Sequence, residues 1–113
     1  MSDNKPTWLG KVAPTRKNSQ KQENRLAKEF GGRTTANSGA TFSENDVKTP
    51  DFDIEAKTTK SSQFILKVAD LKKMQRKCSI DKIALFIIEF SEQGEEMVLL
   101  NKADFYSLIN KKD

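Results

Sequence analysis

Apolar and polar positions along the chain change period several times, and each period points to an element. Leu26, Ala27 and Phe30 make a helical stripe, and Ser19 with Gln22 three residues on has the form of a capping box. A helix is therefore predicted from about Ser19, ended by Gly31-Gly32. Arg33 to Ala36 reads as a short strand, and Asn37-Ser38-Gly39-Ala40-Thr41 as a small-residue loop. Asp46-Val47 and Phe52 to Thr58 read as two strands around a turn at Lys48-Thr49-Pro50-Asp51. In the second of these, Phe52, Ile54 and Ala56 alternate with Asp53, Glu55 and Lys57, which gives one apolar and one polar face.

Phe64-Ile65-Leu66 reads as a further short strand, and Leu71, Met74 and Cys78 fit a helix from about Val68 to Ser79. The run Ile83 to Ile88 has no polar position, as expected of a central strand covered on both faces. Gln93-Gly94 turns the chain into Met97 to Leu100, and Asn101 can cap a last helix carrying Phe105, Leu108 and Ile109. Lys111 and Lys112 suit the C-terminal end of that helix. The predicted class is α/β, a mixed β-sheet flanked by helices.

With 113 residues the chain has room for one small domain. Residues 1–18 read as a flexible basic arm punctuated by Pro6, Gly10 and Pro14, and residues 19–113 as the folded domain. Lys and Arg exceed Asp and Glu by 20 to 16, a net charge of +4 that favours an anionic partner. The chain has no histidine, which excludes Ser-His-Asp hydrolases and histidine-ligated metal nucleases. Its single cysteine, Cys78, can form neither an internal disulfide nor a cysteine-based zinc site. No apolar run approaches the roughly 20 residues that span a bilayer, and Met1 to Lys5 lacks the apolar core of a signal peptide. A cytoplasmic protein without membrane contact is expected.

The chemistry concentrates between Asp46 and Lys57. Glu55 and Lys57, two apart on a strand, leave the same face side by side. Carboxylates there offer hard oxygen ligands to Mg²⁺, and the lysine can orient a water or take its proton. Asp51 would stand roughly 13 Å from Glu55 along one strand, too far to share an ion. A turn at 48–51 would fold Asp46 back against Asp53, making it a diagonal neighbour of Glu55 at roughly 7–8 Å. Asp46 is thus the favoured partner, with Asp53 in reserve. Arg33 and Lys60 flank the polar face as phosphate contacts, and Glu23 on the first helix can add a carboxylate.

These residues, in this order, resemble the PD-(D/E)xK nucleases, and more closely the small Holliday-junction resolvases of archaea and bacteriophages. The resemblance runs over Gln22 to Lys28, Gly31-Gly32-Arg33, Asn37 to Thr41, Asp46-Val47 and Phe52 to Thr59, and continues to Asp104-Phe105. It implies a restriction-endonuclease-like fold in which Glu23 assists the metal site, Asp46 and Glu55 hold the metal and Lys57 is the catalytic lysine. The Ala56 backbone carbonyl would be a further metal ligand, and Ser38 would contact the substrate. The implied activity is Mg²⁺- or Mn²⁺-dependent cleavage of DNA, leaving 5′-phosphates, by a homodimer selective for branched DNA. A phage enzyme would work in the host cytoplasm, with no organic cofactor. The alternatives are a nicking or DNA-degrading endonuclease without junction preference, and a non-catalytic basic DNA-binding protein on the same scaffold.

Overall fold

The computed structural model describes residues 14–35 and 45–110. Its elements run α1 (Pro14–Glu29), β1 (Arg33–Thr34), β2 (Val47–Lys48), β3 (Phe52–Thr59), α2 (Val68–Lys77), β4 (Ile83–Phe90), β5 (Glu95–Leu99) and α3 (Lys102–Ile109). The five strands form one sheet in sequence order. Every neighbouring pair is antiparallel except β3 with β4, which run parallel with α2 as the crossover. This is an α/β architecture with a mixed sheet between helices.

β4 has to be apolar from Ile83 to Ile88 because that run feeds both layers. Leu85 and Ile87 join Val47, Ile54 and Ala56 under Leu26 and Ala27 of α1. Ala84, Phe86 and Ile88 on the opposite face pack under Met74 of α2. Phe30 meets Phe52 edge-on at 5.9 Å, extending the α1 layer to the end of the helix.

α1 begins at Pro14, five residues before the expected Ser19. Proline suits a first helical turn, where its missing N–H has no partner to lose. Part of the expected arm is therefore helix, and residues 1–13, with Trp8-Leu9, lie outside the described residues. Ser19 and Gln22 are consequently mid-helix, and Gln22 is a buried residue rather than half of a cap. At the other end Gly31 takes φ 68°, with its N–H donating to Lys28 O and that of Gly32 to Ala27 O. That pairing is the glycine-terminated Schellman arrangement. Residues 64–66 are not a strand: Ile65 and Leu66 are exposed, and Phe64 instead tilts against Phe86 at 6.1 Å. Asn101 does cap α3, accepting the Ala103 N–H at 2.8 Å. Lys111 and Lys112 fall outside the described residues. Among the described residues no helix is long and apolar enough to cross a membrane.

Candidate active site

The β2–β3 register sets Val47 opposite Ile54 and Lys48 opposite Asp53. The ladder ends at Val47, so Asp46, the residue before it, lies one step along from the Val47–Ile54 pair, toward Glu55 rather than back against Asp53 as expected. Beyond this point β2 gives way, and the Asp46 carboxylate occupies the free edge of β3: the Ala56 N–H donates to its Oδ2 at 2.9 Å. The N–H and carbonyl of one strand residue point the same way, so the Ala56 carbonyl faces that open edge too.

Hydrogen bonds from Thr35 and through Asn45 hold the backbone at Asp46. Thr35 N–H donates to the Asp46 carbonyl at 3.0 Å, and the Thr35 hydroxyl donates to the Asn45 carbonyl at 3.0 Å. The fully buried Asn45 side chain donates to Met74 O of α2 at 3.2 Å. The polar pattern of the sequence marks neither Asn45 nor Gln22 for burial. Gln22 donates to the carbonyl of Lys57 at 3.0 Å and to Glu96 at 3.2 Å, while Arg25 forks onto Glu96 at 2.8 and 2.9 Å. These bonds set the rotation of α1, and the next residue, Glu23, faces the site.

The polar face of β3 is largely covered. Glu55 keeps only 17% of its side-chain exposure beneath α2, and Asp53 keeps none. Lys57 Nζ lies 3.4 Å from Glu55 Oε2, and Lys77 Nζ of α2 lies 3.8 Å from Oε1. A hollow of about 110 Å³ opens between Glu55 and Lys57 on one side and Lys73 and Lys77 on the other, with Asp70 at its rim. Larger hollows exist elsewhere, such as one of about 450 Å³ near Cys78 and Asn101, but Glu55 does not line them.

The carboxylates disturb one another. Burial and the charges of Asp46 and Glu55 push Glu23 up to about 7, against the pull of Lys57. Burial and Asp46 raise Glu55, opposed by Lys57 and Lys77. Burial also raises Asp46, opposed by the Ala56 N–H and the same two lysines. Excess negative charge at a half-buried point is a setting in which a cation is stabilising.

Asp53 is not part of this group. It accepts the Ser79 N–H at 2.9 Å, pairs with Lys48 at 3.0 Å and has Lys82 at 3.8 Å. Burial alone would raise it, but these partners hold it below the ordinary carboxylate range. Its place is structural, which removes it from reserve. Arg33 lines a different hollow, with Lys48, Thr49 and Lys82, and Lys60 is exposed just past the end of β3. Ser38 lies outside the described residues.

Among the described residues no three carboxylate or thiol side chains surround one point. A divalent ion is compatible with the hard oxygens found here: the Asp46 carboxylate on the Ala56 N–H, Glu55 with its buried, unpartnered Oε1, and the Ala56 carbonyl. Glu23 acts on that point through its charge. The chain matches no family model, no curated protein and no solved structure.

Proposed function

We propose that this chain is a Mg²⁺- or Mn²⁺-dependent DNA endonuclease of PD-(D/E)xK type on a restriction-endonuclease-like fold, acting on branched DNA as a homodimer. The observation that carries this reading is the Asp46 carboxylate held on the Ala56 N–H at the open edge of β3, with Glu55, Lys57 and Glu23 near enough to disturb one another's charge. Asp46, Glu55 and the Ala56 carbonyl would hold the ion, whose charge would polarise the scissile phosphate. Lys57, with 44% of its side chain exposed, reaches toward the hollow and orients the attacking water or accepts its proton. Glu23 keeps the local potential negative. The net charge of +4 favours approach of a polyanion.

The test is cleavage of a labelled four-way junction and of its linear duplex arms, with Mg²⁺ and with EDTA. Paired symmetric nicks in the junction, dependent on Mg²⁺, are expected from the wild type. Glu55→Ala and Lys57→Ala should each lower the rate at least about 100-fold while DNA binding persists. Equal cutting of junction and duplex would select an endonuclease without branch preference. Binding without cutting under any metal would select the non-catalytic reading, and undiminished activity in Glu55→Ala would overturn the assigned site.

A further inference from the structure

α2 and the adjoining site share a feature that metal binding leaves unexplained. The helix carries Lys72, Lys73, Arg76 and Lys77 against one carboxylate, Asp70. Its apolar stripe, Leu71 and Met74, packs against the Phe86 side of the sheet. Lys73 and Lys77, one turn apart beside that stripe, both border the hollow that holds Glu55 and Lys57. At about 110 Å³ the hollow has room for a phosphate group.

Lys77 is loosely tied. Its ammonium lies 3.8 Å from Glu55 Oε1, close enough to balance charge and too far for a hydrogen bond, and that buried oxygen has no other partner. Lys77 also opposes the upward shifts of both Asp46 and Glu55. A lysine with three donors and no geometric fork suits a phosphate, which presents oxygens in several directions.

We propose that α2 is the phosphate-holding wall of the site: Lys73 and Lys77 pair with neighbouring phosphates of the bound strand, and Lys77 does so by leaving Glu55. This rests on the nuclease reading and adds to it the residues that grip the substrate backbone. Asp70 repels phosphate and marks the rim at which the grip ends. Because the contacts are to backbone, they contribute affinity and register but no base preference.

The experiment measures binding of a fluorescent four-way junction by anisotropy in EDTA, over a series of salt concentrations, separately from cleavage. Lys73→Gln and Lys77→Gln should each weaken binding several-fold and reduce the slope of log K against log salt by about 0.9. Lys77→Arg should keep the wild-type slope. Glu55→Gln should tighten binding by releasing Lys77, and the gain should vanish in the Glu55→Gln, Lys77→Gln double variant. If the wild type binds and cuts DNA while both glutamine variants keep its slope, the α2 assignment fails and the nuclease reading stands. If the wild type neither binds nor cuts, both fall.

Discussion

Two carboxylates on neighbouring elements respond to pH in opposite directions, because Asp53 is paired with cations and Glu23 is crowded by other carboxylates. Asp53 is fully buried, and its partners favour the charged form, so its folded pKa lies below its unfolded value. Its contribution is present above the unfolded value and is lost as pH falls through the folded one. Glu23 behaves the other way: burial, Asp46 and Glu55 disfavour its charged form and push it up to about 7 from an ordinary 4.5. Its ionisation therefore destabilises the fold increasingly between about 4.5 and about 7, with the full penalty above that window and none below it. Thermal unfolding in EDTA over a pH series checks both. Asp53→Ala should cost about 3 kcal/mol at neutral pH, because it leaves Lys48 poorly paired, and the deficit should shrink as the solution is acidified. Glu23→Gln should match the wild type near pH 4 and gain on it progressively up to pH 7. A gain that is flat across that range would contradict the placement of Glu23 beside Asp46 and Glu55.

At the scale of elements, the site depends on a close approach between the end of α1 and the β2 strand. A Cβ added at Gly32 would land on the Lys48 carbonyl oxygen and within 2.7 Å of Thr49 Cγ2. Gly31, at φ 68° with open space around it, meets no such obstacle. Gly32→Ala should therefore cost more, about 2–3 kcal/mol in urea unfolding against about 1 for Gly31→Ala. It should also reduce cleavage beyond the loss of folded protein, since Lys48 is two residues from Asp46. Equal costs at the two glycines would show that β2 yields easily. Local pattern made much of this arrangement legible. The alternation in β3 and the unbroken apolar run of β4 have only one satisfactory burial, and Gly31-Gly32 marks the stop of α1. Pattern failed where the decisive partner is distant. Ser19 and Gln22 mimic a cap, but Gln22 is occupied by Lys57 and Glu96 across the sheet. Residues 64–66 look strand-like, yet both sides of β4 are already paired, by β3 and β5, and no ladder takes them in. The Glu55–Lys57 pair follows from a two-residue spacing, whereas Lys73 and Lys77 reach the site only through the way α2 packs on Phe86. Lysines flanking the Leu71–Met74 stripe at helical spacing were the available signal.

At the scale of the whole molecule, α3 is the element that the monomer does not account for. None of its residues is buried, although Phe105, Tyr106 and Ile109 are apolar and each more than half or about half exposed, and Phe105 and Ile109 share a face. Met97 and Val98 on the adjoining strand β5 are exposed as well. An apolar helix face left uncovered is a mark of an interaction site. The outer edge of β5 is guarded at one end by Glu95 and Glu96, the latter already held by Arg25, which disfavours strand-to-strand pairing there. Among the described residues, helix packing through α3 is the route we propose to a twofold pair, and two equivalent sites are what the proposed paired cuts across a symmetric junction require. Sedimentation velocity should accordingly give twice the chain mass at micromolar concentration. Phe105→Asp combined with Ile109→Asp should give a monomer whose unfolding free energy changes by no more than about 0.5 kcal/mol per substitution, since neither side chain is part of the monomer core. The same variant should still nick junctions, but singly, without the coupled second cut. A wild type that sediments as a monomer with and without junction DNA would remove α3 as an interface and leave its apolar face unassigned.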